Sequence, residues 1–158
     1  MKLEVIDSTP DTEIVSARNI PVPRELVYKA WTDPEHLKNW WGPKGFTNTF
    51  HEYYLRPKGR WRFIMHGPDN TNYLNECVFV QIKEPSLIIW NHISYPEFQV
   101  VVTFERLSDN ETLLIFKMVF NSIEECNHVK TYAVDKNEEN FDKLEAELSA
   151  MRMKLTST

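Results

Sequence analysis

Between residues 47 and 120, apolar and polar side chains alternate in short runs that are separated by Pro, Gly, Asn and Ser. In one run, for example, Trp61, Phe63 and Met65 alternate with Arg60 and Arg62. A period of two is typical of strands with one buried face. The pattern predicts strands at residues 47–55, 60–66, 73–82, 87–92, 98–107 and 112–120.

The segment before these strands has a different pattern. Residues 12–19 are rich in β-formers, which predicts a first strand. Pro23 suits the first turn of a helix, and Asp33 followed by Pro34 has the form of a cap with proline at the first helical position. Two short helices are therefore expected, and Gly42 with its neighbouring proline ends the second.

After the last predicted strand the period changes to that of a helix. Ser122 and Glu125 have the spacing of a capping box, and helical spacing continues to about Met153. We expect an interruption near residues 135–137. Phe141, Leu144, Leu148, Met151 and Leu155 repeat at spacings of three and four, which places them along one face of this helix.

The order of elements predicts the fold class. A sheet of consecutive antiparallel strands must cover its concave face, and a long C-terminal helix can do so. The sequence therefore predicts an α+β helix-grip fold. In it, a curved antiparallel sheet of about seven strands surrounds the C-terminal helix, and two short helices follow the first strand. We expect one domain over residues 1–158, with a core at about 12–153.

Composition narrows the class of protein. Hydrophobic residues make up 42% of the 158 residues and aromatic residues 13%, which is ample for a core. The net charge of −5 and the lack of a basic stripe disfavour a nucleic-acid partner. No apolar run reaches the roughly 18 residues of a membrane span, and residues 1–7 are charged where a signal peptide is apolar. With Cys77 and Cys126 interpreted as buried free thiols, we expect a cytoplasmic protein.

Several motifs carry a resemblance to a known family. Residues 22–37, followed by Trp-Trp-Gly-Pro at 40–43, resemble the opening motif of START-like (SRPBCC) domains. Within these, they are similar to the group named for the activator of the heat-shock-protein-90 ATPase. Arg-Pro-Lys-Gly-Arg-Trp at 56–61 and Glu-Pro-Ser-Leu at 84–87 resemble later motifs of the same group. The resemblance extends from about residue 16 to 151.

The resemblance implies a helix-grip fold with an internal cavity between the sheet and the C-terminal helix. It does not imply one activity, because such domains include lipid carriers, polyketide cyclases, antibiotic-sequestering proteins and co-chaperones. This chain has Asn140-Phe141 where the family often has Gly-Trp. That difference changes the size of an aromatic residue expected to face the cavity, so the shape of a ligand is not carried over.

The candidate binding residues are those expected to face this cavity. They are mostly aromatic and apolar, as is usual for small-molecule sites, although such residues also fill ordinary cores. The candidates are Trp41, Trp61, Phe63, Met65, Trp90, His92, Val102, Phe104, Phe116, Met118, Phe141 and Leu144.

Motifs for metal, phosphate or nucleophilic chemistry are not found in the sequence. The histidines lack HExxH-type spacing, GxSxG is missing, and the chain has only four glycines. We therefore expect no metal and no cofactor. The side chain of His92 is expected on the same face of its strand as Trp90, where it is either a polar anchor for a ligand or a general base. Tyr53 and Glu76 are further candidates for proton transfer. A basic cluster, consisting of Arg56, Lys58, Arg60 and Arg62, is either a solvated face or a contact for an anionic group.

These observations favour non-enzymatic binding of a small hydrophobic molecule, for sequestration, transport or sensing. One alternative is a co-chaperone-like stimulator of a heat-shock ATPase, which rests on the family name. Another is a cyclase or dehydratase that uses the histidine of the cavity. A homodimer is compatible with the sequence and is not indicated by particular residues.

Overall fold

The computed structural model describes residues 5, 6 and 8–156, so residues 1–4, 7, 157 and 158 of the predicted domain lie outside the described residues. The helices are α1 (Arg24–Thr32), α2 (Pro34–Trp40) and α3 (Ile123–Thr156). The strands are β1 (Glu13–Ile20), β2 (Thr47–Tyr53), β3 (Arg60–His66), β4 (Asn72–Lys83), β5 (Leu87–His92), β6 (Phe98–Ser108) and β7 (Glu111–Val119).

All seven strands form one antiparallel sheet in the order β1-β7-β6-β5-β4-β3-β2. Neighbours in sequence pair with one another from β2 to β7, and β1 joins the far edge by pairing with β7. Register irregularities lie between Phe50 and Glu52 and between Phe79 and Gln81. Such bulges increase local twist and bend strands, which helps the sheet to curve around α3. The predicted α+β helix-grip fold is confirmed.

The helices α1 and α2 cover one part of the concave face with tryptophan. The Asp33 carboxylate caps α2 by accepting a hydrogen bond from the Glu35 N–H (3.0 Å). Trp40 is fully buried, and its indole N–H donates to the Ala30 carbonyl (3.0 Å). Its ring meets that of Trp31 edge to face, with the centroids 4.7 Å apart. This packing makes one end of the concave face a solid aromatic core.

The C-terminal helix α3 is continuous, so the predicted interruption at residues 135–137 is wrong. The segment contains neither Gly nor Pro, and the Asn137 amide donates to the Ser16 hydroxyl of β1 (3.2 Å) instead of competing with the helix. The predicted cap is confirmed, since the Ser122 hydroxyl accepts from the Glu125 N–H (3.1 Å). No helix in the described part of the chain is long and apolar enough to cross a membrane.

The second half of α3 is fastened to β1. The Arg18 guanidinium lies 2.8 Å from Asp142 Oδ1 and 2.9 Å from Glu145 Oε2, and its Cζ is 5.4 Å from the centroid of the Phe141 ring. Phe141, Leu144 and other apolar residues of this half are buried against the sheet and α1–α2. The first half of α3 stands over the rest of the concave face, and the space beneath it is the candidate site.

Candidate functional site

A cleft of about 780 Å³ lies between the first half of α3 and strands β3 to β7. It is open to solvent and lies beside the aromatic core that α1 and α2 cover. Strands β3, β5, β6 and β7 contribute alternate side chains, because successive residues of a strand point to opposite faces, whereas β4 contributes the consecutive residues 72–75 as well as Cys77. The cleft wall also includes the loops at residues 41–46 and 95–96.

Seven of the twelve predicted binding residues line the cleft. Strand β3 contributes Phe63 and Met65, β5 contributes Trp90 and His92, and β7 contributes Phe116 and Met118, in each pair at a spacing of two. Trp41, directly after α2, completes the set at the boundary with the aromatic core, where its ring centroid lies 5.2 Å from that of Trp61. The wall residues that the sequence indicated thus come from the alternation of the strands and from one tryptophan.

The other five candidates lie in the packed core and do not line the cleft: Trp61, Val102, Phe104, Phe141 and Leu144. The rings of α1 fill the space in front of β6, where Phe104 meets Tyr28 (5.3 Å between centroids) and Trp31 (6.0 Å). Phe141 packs under Arg18 at the edge of the sheet. Its neighbour Asn140, and not Phe141, belongs to the cleft wall.

The contribution of α3 to the cleft was not predicted from the sequence. A face with spacings of three and four lines the cleft, and it consists of Val129, Tyr132, Ala133, Lys136, Asn137 and Asn140. Helical spacing could have revealed this face. However, half of these residues are polar, and the expected interruption divided the helix at this point.

The loop after α2 is held against α3. Lys143 Nζ donates to the carbonyl oxygens of Pro43 (3.3 Å) and Phe46 (3.0 Å), and burial lowers the pKa of this amine below its ordinary value. Gly42 has a φ of +100°, which favours glycine, and a Cβ at this position would lie 2.7 Å from the terminal methyl of Met65. The loop is therefore held against α3 by Lys143 and packs closely against Met65 at the cleft wall.

His92 is a hydrogen-bonded part of the wall. Its Nδ1 lies 2.7 Å from the Pro96 carbonyl oxygen and its Nε2 lies 2.7 Å from Asn75 Oδ1. The ring stacks on Phe98 with 4.6 Å between centroids. Burial lowers the pKa of His92, although the hydrogen bond to Pro96 acts in the opposite direction. Since both ring nitrogens contact protein groups, the ring is fixed in place and suits a structural role.

The other candidates for proton transfer lie away from the cleft. The Tyr53 hydroxyl donates to the Trp31 carbonyl (3.1 Å), and burial strongly raises its pKa. Glu76 is not part of the cleft wall, and its Oε1 lies 3.8 Å from Arg62 Nε. The structure therefore does not bring Tyr53 and Glu76 together with His92.

The predicted basic cluster does not reach the cleft either. None of Arg56, Lys58, Arg60 and Arg62 belongs to the wall, and Arg62 Nη1 lies 2.7 Å from Glu52 Oε1. The wall carries a different cation, Lys136. Among the described residues, the wall has no Asp, Glu or Arg.

Two further features bear on the chemistry of the cleft. The Cys77 thiol, on the wall, is buried, and burial raises its pKa well above the ordinary value, so it stays protonated and unreactive. Within the part of the chain that the structure describes, no group of three or more His, Cys, Asp or Glu side chains is placed to hold a metal ion. The site offers apolar surface and a few polar groups.

One family model matches the chain, and solved structures share its fold. The family model described as Activator of Hsp90 ATPase homolog 1-like protein matches residues 21–149. No curated protein matches the chain.

Solved structures share the architecture at low sequence identity. Protein NE0264 from Nitrosomonas europaea superposes with a TM-score of 0.83 at 21% identity, covering 92% of this chain and 99% of that one. A protein from Arthrobacter aurescens gives a TM-score of 0.82 at 20% identity, with 94% and 93% covered. The AHSA1 protein SPO3351 from Silicibacter pomeroyi gives 0.71 at 19% identity, with 88% and 99% covered.

Proposed function

The chain belongs to the family of Activator of Hsp90 ATPase homolog 1-like proteins, and from this and the form of the cleft we propose that it binds a small hydrophobic molecule without transforming it. Sequestration, transport or sensing would each use such binding. The observation that carries the proposal is the cleft of about 780 Å³ between α3 and the sheet. Its volume and its aromatic wall are those of small-molecule sites, which span about 300–1,000 Å³.

The wall exposes apolar surface that a ligand would cover. Trp41, Met65 and Phe98 line the cleft and are only partly buried, whereas the neighbouring core residues are fully buried. Covering apolar surface contributes about 25 cal/mol per Å². A hydrophobic ligand would therefore gain affinity from these side chains.

The polar groups of the cleft support binding more than catalysis. A general base needs a nitrogen or oxygen within hydrogen-bond reach of the substrate. Both nitrogens of His92 contact Pro96 and Asn75, and the Cys77 thiol is protonated. A cyclase or dehydratase that uses His92 would have to break these contacts.

Native mass spectrometry of the freshly purified protein, repeated after denaturation, tests the proposal directly. We expect an additional bound mass that is lost on unfolding. A second test uses the neutral fluorescent probe N-phenyl-1-naphthylamine. Ala133→Trp places an indole in the cleft and should weaken probe binding about tenfold or more, because it fills apolar space that the probe needs.

Ala146→Trp is the matched control, since Ala146 lies on the exposed side of the same helix. Far-UV circular dichroism checks that both variants fold, and Ala133→Leu is a milder version of the first. No probe binding to the unmodified protein, or equal binding to Ala133→Trp and Ala146→Trp, would contradict a ligand site in this cleft.

The family description also names activation of the Hsp90 ATPase. A co-chaperone role predicts that the purified protein increases the ATPase rate of such a chaperone. Stimulation without ligand or probe binding would replace the present proposal. Size-exclusion chromatography in the same preparation would show whether the chain forms a homodimer.

A further inference from the structure

We propose that the ligand is an amphiphilic organic anion that carries a hydrogen-bond donor near its anionic group. This inference rests on the proposed function and names the ligand class of the same cleft. The apolar body would lie against Trp41, Met65 and Phe98, the donor would bind Asn140, and the anionic group would bind Lys136.

The charge of the wall favours an anion. Lys136 is exposed and belongs to the wall, and no carboxylate of the described residues lies within ion-pair distance of its amine. His92, the other basic residue of the wall, is buried, and burial lowers its pKa, so it carries less positive charge than an exposed histidine at the same pH. A ligand cation would find no opposite charge here, whereas a carboxylate or sulfonate would meet an unpaired amine.

The donor is inferred from Asn140. The residue is 8% exposed and belongs to the wall, and its Oδ1 is buried without a hydrogen-bond partner among the described residues. A buried carbonyl oxygen without a donor is unfavourable, and such atoms are uncommon in native proteins. A hydroxyl or N–H group of a ligand would supply the missing donor.

The two residues also define the orientation of the ligand. Positions 136 and 140 are four apart on α3, which places their side chains on the same face about 6 Å from each other. Asn140 is buried and Lys136 is exposed, so the donor site lies deeper than the charge site. The anionic group therefore lies at the mouth of the cleft, where it keeps contact with water, and the apolar body extends inward.

The first experiment isolates the charge. The probes 1-anilinonaphthalene-8-sulfonate and N-phenyl-1-naphthylamine share the same rings and the same N–H donor, and only the first is an anion. We expect Lys136→Gln to weaken binding of the sulfonate about fivefold while binding of the neutral probe is unchanged, because a partly exposed ion pair contributes at most about a kcal/mol. Added salt should reduce the same difference.

Lys130→Gln is the matched control, because Lys130 is an exposed lysine of the same helix that does not line the cleft. It should leave the affinities for both probes unchanged. If Lys136→Gln affects neither probe, or both equally, the anionic part of the proposal is wrong. If the neutral probe does not bind the unmodified protein at all, the failure is that of the proposed function.

The second experiment isolates the donor by displacement of N-phenyl-1-naphthylamine. We expect 3-hydroxydodecanoate to compete about fivefold better than dodecanoate. Its hydroxyl can donate one hydrogen bond to the buried oxygen of Asn140, and dodecanoate lacks this donor. Asn140→Leu should abolish this preference. Asn127→Leu, on the exposed side of α3, should retain the preference. Equal competition by the two acids with the unmodified protein would overturn the role of Asn140.

Discussion

The side chain of Asn140 should lower the stability of the protein, and it is also the proposed hydrogen-bond acceptor for the ligand. Asn140 belongs to a mainly apolar wall, and its carbonyl oxygen is buried without a hydrogen-bond partner among the described residues. A buried oxygen without a hydrogen bond costs free energy of folding. An apolar side chain of similar shape has no such oxygen and avoids this cost. Asn140→Leu should therefore increase the free energy of unfolding by about 1–3 kcal/mol.

Urea denaturation of the unmodified protein, Asn140→Leu and Asn127→Leu measures this effect. The control variant changes an exposed residue, and its free energy of unfolding should stay within about 0.5 kcal/mol of the original. Destabilisation by Asn140→Leu would mean that the amide is satisfied in the folded protein.

His92 should make stability depend on pH. Burial lowers its pKa in the folded protein below the ordinary value of 6.5, so the ring takes up a proton on unfolding. Its contribution to stability is complete above about pH 6.5 and is lost as the pH falls through the lowered pKa. Cys77, which faces His92 across the β4–β5 pair, has a raised pKa and does not titrate in this range.

The free energy of unfolding at about pH 5 and about pH 7.5 checks this expectation. We expect a lower value at the acidic pH, and a smaller difference between the two for His92→Gln. The control is His128→Gln, which alters an exposed histidine of α3. An unchanged difference in His92→Gln would assign the pH dependence to other groups.

At the scale of elements, the loop after α2 affects both stability and ligand binding. Gly42 and Gly45 have φ values of +100° and +88°, so alanine at either position should cost about 1–3 kcal/mol of stability. Only a Cβ at Gly42 would lie close to the terminal methyl of Met65, at 2.7 Å, whereas at Gly45 the nearest contacts are with Pro68 at 3.4 Å. Gly42→Ala should displace Met65 on the cleft wall and weaken binding of N-phenyl-1-naphthylamine, and Gly45→Ala should not.

Denaturation and probe titration of the two variants separate these effects. Met65→Ala in the Gly42→Ala background should recover part of the lost affinity, since the clash is removed. Equal affinities of the two glycine variants for the probe would show that Met65 moves away from the cleft.

The strands could be predicted from the sequence, whereas the polar residues that α3 contributes to the site could not. In β3, alternation placed Phe63 and Met65 on one face, and the structure has both on the wall. Alternation shows which face is buried, but it does not show whether the facing space contains side chains or a cleft. Trp61 and Phe104 therefore have the same pattern as wall residues, although rings from other elements cover them.

The helix α3 shows the opposite case. Its second half has an apolar stripe that the helical period revealed, including Phe141 and Leu144. Its first half carries Lys136, Asn137 and Asn140 on the face turned to the sheet. Hydrophobic periodicity detects a face poorly when half of its residues are polar, and the position of α3 relative to the sheet shows that this one lines the cleft.

At the scale of the whole molecule, ligand binding should stabilise the fold. A ligand that binds only the folded state at about 100 times its Kd adds about 2.7 kcal/mol. For a protein of 158 residues this corresponds to a rise in Tm of about 5–10 °C. We expect this rise with 3-hydroxydodecanoate, measured by differential scanning fluorimetry without the naphthyl probes.

Ala133→Trp should show a much smaller rise at the same concentration, and Ala146→Trp should behave like the unmodified protein. A rise of equal size in Ala133→Trp would place the stabilising ligand outside the cleft. The comparison therefore connects the stability of the molecule to this one site.

The pairing of β1 with β7 has a consequence for the order in which the protein can form during synthesis. Glu13 pairs with Val119, and the cleft is complete only when α3, which follows β7, has covered the sheet. Contacts between distant parts of a chain form slowly, because the loop between them must close first. A ribosome will therefore have made most of the chain before its first strand can find its partner. Until then, the tryptophans of α1 and α2 lack the later strands that bury them. Their exposed apolar surface makes the nascent chain prone to aggregation.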